Sequence, residues 1–436
     1  MGRRYGAPRD RAQMQGAGGH LLKSNALPPK NTMRNICAVL VLLAAASPGD
    51  AQTMRFDDVV RNLRNPDAKT RLESVKLLRD AKYPEAIEPL APLVTDPVDE
   101  IQLEAIAAEL SFYLQQDVRT RRMVGFVLEK RQAAIAQSAF ELGPTAVWPR
   151  PAAPSLVSSL LTAIDDENPR VRLDAIYAVG VVARPPLDPA AAQPLVKALD
   201  HYDPSIRAAA ARVIGRLNVD SAGDALIKAI NDSHADVRYA AMRALGYIRD
   251  SRAIQPLTEQ LAFYKKGEGA WSALDALARI ASPSSIPVLK QYLGDRDPFL
   301  RRAAVEGLGR AKDTSQIDTL SHIATADDSP MVRLAGCFAL QKLGQNYATR
   351  IADMLANDKL IAQGVESLIE LGPSIAPQLY AGLQESQPEM REAIADVLGA
   401  IGGQQALPPL QAAAQDKDPD VAAAAKRAIL RIKASV

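Results

Sequence analysis

The sequence predicts an all-α fold, an alpha-alpha superhelix of about twelve stacked helix pairs. Three observations carry this expectation. One turn-and-helix pattern recurs along the chain, hydrophobic residues make up 47% of it with only 5% aromatic, and strand-like alternation is sustained nowhere. The pattern is clearest at Asp203-Pro204-Ser205-Ile206-Arg207, which runs on through Ala208 to Gly215. Asp203 suits an N-cap, because its carboxylate can accept from a free amide of the first turn. Pro204 falls where a missing N–H costs nothing. Ile206, Ala210, Val213 and Ile214 then share one helical face, and Gly215 stands where the helix can stop.

The same pattern begins at Asn168-Pro169, His234-Ala235, Asp297-Pro298, Ser329-Pro330 and Gln387-Pro388, and at Asp418-Pro419 with Ala422 in place of arginine. Its arginines, Arg172, Arg207, Arg238, Arg301, Arg333 and Arg391, are separated by 35, 31, 63, 32 and 58 residues. Each long gap holds one degenerate copy. A repeat of this length, made of helix, capped turn and second helix, is the signature of a solenoid.

Taken in order, the chain opens with a segment unlike the rest, residues 1–51. Met33-Arg34-Asn35 is a short basic start, Ile36 to Ala46 is an apolar run of 11 residues, and Ser47 to Ala51 supplies small residues for cleavage. The run is too short to span a bilayer comfortably. This layout predicts a signal peptide cut after Ala51, hence an exported, periplasmic or secreted protein with no transmembrane span after cleavage. Cleavage removes seven Lys/Arg and two Asp/Glu, leaving 45 and 48, a net charge of −3 in place of +2. It also removes Cys37 and leaves Cys337, so no intrachain disulfide can form. Cys337 reads as a small core residue.

Residues 52–142 read as less regular repeats. Phe56 to Leu63 pairs with Arg71 to Leu78, Ala86 to Val94 with Glu100 to Leu114, and 118–142 forms a third pair. Residues 143–154 hold four prolines, at 144, 149, 151 and 154, and predict an extended connection. Trp148 within it reads as a packing plug. The regular array fills 155–436, with first helices starting near Leu156, Ala191, Ala222, Ala253, Ser285, Gln316, Ala348, Ile375 and Ala406.

These residues resemble the HEAT-repeat family, in particular its PBS-lyase HEAT-like subgroup. The likeness rests on the D-P-x-(V/I/L)-R turn with Ala three and Gly eight residues after the arginine. It implies antiparallel helix pairs whose second helices line the concave side. It also implies that turn arginines and acidic caps bond between neighbouring repeats. That assigns a structural ladder to Arg172, Arg207, Arg238, Arg301, Arg333 and Arg391, with Asp203 and Asp297 as acids. The family includes di-iron hydroxylases that need repeated His-Glu dipeptides, and none occurs here. It also includes bilin lyases, which makes a lyase or its accessory subunit the alternative function.

No metal-ligand spacing, nucleotide loop or nucleophile motif stands out, so neither catalytic residue, cofactor nor metal is expected. A negative mature chain without a long basic run also argues against nucleic acid. The sequence points to a non-catalytic scaffold binding a protein or peptide in its groove. One residue after the turn arginine, successive copies carry Leu173, Ala208, Tyr239, Trp271, Arg302 and Leu334. Five residues after, they carry Tyr177, Arg212, Arg243, Asp275, Glu306 and Phe338. Both columns lie off the Ala/Leu face. Tyr177, Arg212, Tyr239, Arg243, Trp271, Arg302 and Phe338 are therefore the candidate partner-binding residues, of the types that interface hot spots favour.

Overall fold

A computed structural model describes residues 55–114, 135–148, 150–385 and 387–434. The expected leader and most of the expected third pair, 118–134, lie outside them. The chain divides into two compact units, Met1–Arg55 and Phe56–Val436. Of the first only Arg55 is described, and the fold is that of the second.

The second unit is an alpha-alpha superhelix, with no strand beyond one isolated bridge between Leu114 and Val147 among the described residues. Phe56–Asn62 pairs with Ala68–Ala81, and Ile87–Leu90, prolonged by a 3-10 turn, pairs with Asp99–Tyr113. From Pro154 the array is regular. Its second helices are Pro169–Val182, Pro204–Arg216, Ala235–Tyr247, Gly267–Ile280, Pro298–Arg310, Pro330–Lys342, Ile361–Leu371, Pro388–Ile401 and Pro419–Ala434.

The caps form as their residue types dictate. Asp203 accepts from the Ser205 amide at 2.8 Å, Asn168 from Arg170 at 2.9 Å and Asp297 from Phe299 at 2.9 Å, each with proline next in the chain. Each pair then buries its aliphatic face. Ile206, Val213, Ile214 and Leu217 are sealed, as are Leu195 and Leu226 on the neighbouring first helices. Each such side chain contributes about 1.5–3 kcal/mol relative to exposure.

The recurring glycine has a different role from the expected helix stop. Gly215 lies inside its helix, and the left-handed turn beyond falls on Asn218. A Cβ at Gly215 would sit 2.9 Å from the Ala244 Cα, and at Gly246, 2.8 Å from the Ala276 Cα. These glycines are where one second helix touches the next. Their missing side chains set the close approach of the row.

The turn arginines share one geometry, with acids other than those expected. Arg207 donates Nε and Nη2 to Asp232 at 2.7 and 2.8 Å, and Nη1 to the carbonyls of His201 and Tyr202 at 2.7 and 2.9 Å. Arg301 reaches Asp327 and Arg391 reaches Asp416 in the same way. The acid stands two residues before the next N-cap, where it also accepts that cap's amide. Asp203 and Asp297 are therefore caps, not rungs of this kind. Arg71 with Asp96 forms a further rung in the N-terminal repeats. Arg238 donates Nε to the Tyr264 hydroxyl instead. Arg172 and Arg333 hold only the carbonyls of their own turns. The position that would hold Arg172's acid is His201.

Second helices face the inside of the coil. Arg279 on Gly267–Ile280 bonds Glu366 on Ile361–Leu371 at 2.7 Å, 87 residues away. Arg431 on the last helix donates to the carbonyls of Thr145 and Val147 at 2.7 and 3.1 Å. Side chains so distant in sequence meet only because the array curls back upon itself. Helix Ile135–Glu141 and the connection after it run along this inner side. Phe140 fills the notch left by Gly180, whose added Cβ would come within 2.7 Å of the ring.

Candidate functional site

Two adjoining recesses open on the inner side at mid-array. The smaller, about 280 Å³, is lined by Arg243, Trp271, Phe299, Arg302, Asp275 and neighbours. The larger, about 480 Å³, runs between Leu142, Arg249, Arg310 and Glu370. Tyr247, Arg279 and Glu366 line both.

Local sequence explains each side chain's position. Arg243 sits five residues after a turn arginine on Ala235–Tyr247, so it leaves the buried Ala241–Leu245 face. It pairs with Glu268 at 2.5 Å at the surface. Trp271 comes early in Gly267–Ile280, where Ala270 takes the ladder position. Lacking that arginine, the repeat uses the indole. Trp271 Nε1 donates to Asp297 at 2.6 Å and its ring lies 4.5 Å from Phe299. Phe299 follows Pro298 and is 45% exposed, and Tyr247 at its helix end is 47% exposed.

The charged residues form a fixed network. Arg279 donates to Asp275 at 2.8 Å and to Glu366. Arg302 donates to Glu306 at 2.7 Å. Arg310 grips Glu370 through Nε at 2.9 Å and Nη2 at 2.8 Å. Burial pushes the Asp275 and Glu370 carboxyls upward, but Arg279 and Arg310 outweigh it and hold both below their ordinary values. Burial acts against the charge on Arg279 and Arg310, and the paired carboxylates more than offset it. All four stay ionised through neutral pH, giving a charge pattern rather than a proton donor and acceptor. Among the described residues, no three His, Cys, Asp or Glu side chains converge to hold a metal. Nor is any helix there long and apolar enough to cross a membrane.

Of the seven candidate binding residues, Arg243, Trp271 and Arg302 share the smaller recess. The other four do not. Phe338 is fully buried, with Arg310 and Lys342 over its ring at 5.1 and 5.5 Å. Tyr177 is buried because Phe140 covers it at 5.3 Å, and its hydroxyl accepts from Arg212 at 3.1 Å. The chain's own 135–141 helix thus occupies the groove beside Tyr177 and Arg212. Tyr239 packs edge-on to Tyr264 at 5.6 Å and lines neither recess. Sequence reasoning missed Phe299, Tyr247, Arg279 and Glu366. A ring directly after the turn proline was a usable signal for Phe299. The meeting of Arg279 with Glu366 had none, since it depends on how tightly the array curls.

Comparison with known proteins follows from this geometry. The family profile described as HEAT repeats matches residues 192–262, 267–341 and 350–430, together more than half of the chain. No curated protein sequence matches. Among solved structures, an engineered protein is 19% identical over 87% of this chain and 98% of its own, with a TM-score of 0.41. The complex of CpcE and CpcF of phycocyanin lyase from Nostoc sp. is 20% identical over 57% and 96%, with a TM-score of 0.39. Human deoxyhypusine hydroxylase in complex with glycerol is 22% identical over 56% and 96%, with a TM-score of 0.30.

Proposed function

Since the chain belongs to the HEAT-repeat family, we propose that it is a non-catalytic scaffold binding a protein or peptide partner along its inner side. The observation that carries this reading is the pair of adjoining recesses. They draw on helices Ala235–Tyr247, Gly267–Ile280, Pro298–Arg310 and Ile361–Leu371, so the open surface is drawn out across several repeats. Exposed rings at Tyr247 and Phe299 stand beside Arg243 and Arg302 and the carboxylate of Glu366. An extended polypeptide meets such a surface with alternate apolar and charged side chains. The fixed ion pairs fit recognition better than proton transfer.

The test is peptide selection from a random displayed library against the purified chain. Enriched peptides should lose at least tenfold in affinity, about 1.4 kcal/mol, on Phe299→Ala or Arg243→Ala. Both side chains are partly solvent-facing, so melting should change little. No enrichment, or peptides indifferent to both changes, overturns the reading.

The protein acts, on this proposal, after export to the periplasm or the medium. The basic, apolar and small-residue order from Met33 to Ala51 supports it. N-terminal sequencing of the exported chain should start at Gln52. A cytosolic chain that keeps Met33 would refute it.

A further inference from the structure

A separate cavity of about 370 Å³ lies where early and late repeats of the array meet. Its walls come from Val147, Trp148 and Arg150 of the connection, from the end of Pro169–Val182 and the residues after it, and from Arg216, Ala400 and Arg431. Four guanidinium groups border it: Arg150, Arg184, Arg216 and Arg431. No acidic side chain stands among its described lining residues. In the mid-array recesses Arg279, Arg302 and Arg310 each grip a carboxylate that lines the recess or lies beside it.

The arginines here have other company. Arg216 lies 3.5 Å over the Phe140 ring, with no carboxylate at ion-pair distance among the described residues. Arg184 donates to the Arg150 carbonyl at 3.1 Å, and Arg431 to the carbonyls of Thr145 and Val147. Asp396 acts on Arg431 and bridges Arg427 at 3.3 Å, so the charge left without a carboxylate among the described residues is that of Arg150, Arg184 and Arg216. Carbonyls and rings orient a guanidinium without cancelling its charge. Burial accordingly pulls Arg216 down to about 10, still cationic at neutral pH.

We infer that this cavity is a binding site for a small organic anion, a carboxylate or phosphate group carried on an apolar body. Several partly desolvated guanidiniums facing one concave space attract an anion and can grip it bidentately. Trp148, Val181 and Pro185 supply an apolar wall for the rest of the ligand. The volume falls in the ordinary range for small-molecule sites, roughly 300–1,000 Å³. The site is independent of the groove reading, since the two share no lining residue.

The test is calorimetric titration of the full chain with naphthalene-1-acetate, 1-naphthyl phosphate and the neutral 1-naphthalenemethanol. At least one anion should bind, at least tenfold more tightly than the alcohol, and the two anionic arms tell carboxylate from phosphate. Arg216→Gln and Arg184→Gln should each weaken that anion at least fivefold and leave the alcohol unchanged. Arg184 is exposed, so its variant remains decisive even where Arg216→Gln unfolds. Failure of both anions to bind, parity with the alcohol, or undiminished binding by Arg184→Gln overturns the proposal.

Discussion

Replacing Arg207 by alanine removes one complete rung between adjacent repeats. Its side chain is 11% exposed and that of Asp232 13%. Four short hydrogen bonds go with it, two to the carboxylate and one each to the carbonyls of His201 and Tyr202, together with a long contact to His234 Nδ1 at 3.4 Å. Asp232 is left with the His234 amide at 2.8 Å and a long contact from Ser233. A hydrogen bond to a charged group contributes about 1.5–3 kcal/mol net. Water can reach the vacated space, which limits the penalty on the stranded groups. The expected loss is about 2–3 kcal/mol. Arg172→Ala is the internal control. Arg172 bonds only the Asp166 carbonyl, at 2.6 Å, so its loss should be about 0.5–1.5 kcal/mol. Burial pushes Asp232 up, but Arg207 and the His234 amide outweigh it and hold the carboxyl below 3.8. The stability tied to that depression is full above 3.8 and drains away as pH falls below it, so the gap between parent and Arg207→Ala should narrow in acid. Urea unfolding followed by circular dichroism gives the energies. Hydrogen exchange should show the lost protection concentrated over 193–247, because solenoid repeats are stabilised by their neighbours. Equal losses in the two variants, or protection lost evenly along the array, would refute the reasoning.

Three further outcomes are expected. Asp174 is buried, its Oδ1 has no hydrogen-bond partner, and burial carries its carboxyl to about 6 against the counter-effect of Arg170; a raised carboxyl costs stability as pH climbs from 3.8 through 6, so Asp174→Asn should gain about 1–3 kcal/mol near pH 7.5 and converge with the parent near pH 4. A gap independent of pH in urea titrations counts against this. Gly246→Ala should cost about 1–3 kcal/mol, since its Cβ would meet the Ala276 Cα at 2.8 Å, whereas Gly294→Ala, with open space around it, should be neutral or slightly stabilising; equal melting temperatures for the two would refute the contact reading. The protein purified without a metal-affinity step should carry only substoichiometric iron and zinc and no visible absorption, and a stoichiometric metal or chromophore in elemental and optical analysis would overturn the non-catalytic proposal.

What could be read from the sequence divides along a physical line. Local chemistry was legible: Asp203-Pro204 caps and starts a helix by itself, and the recurrence of that pair fixes the repeat. The ladder's acid was misread because an N-cap and a rung acid stand two residues apart in one turn. In the turn of Asp416 and Asp418 both are carboxylates, and only the reach of Arg391 tells the rung acid Asp416 from the cap Asp418; the same reach takes Arg207 to Asp232 and not to Asp203. The groove was misread for another reason. A column of equivalent positions predicts a shared face, yet a solenoid's inner side is also where its own irregular segments can lie. Tyr177 and Phe338 satisfy the column and are buried all the same, Tyr177 by Phe140 and Phe338 beneath Arg310 and Lys342. What remains open is set by which parts of the inner side the chain does not fill. Trp271, Phe299 and Arg302 remain accessible because Gly267–Ile280 has lost its ladder arginine, and Trp271 takes over the bond to the next turn with its ring edge. The departure from the repeat thus both repairs the stack and leaves a ring at the inner surface. That is why the irregular copy marks the recess, while the regular copies around it mark only the fold.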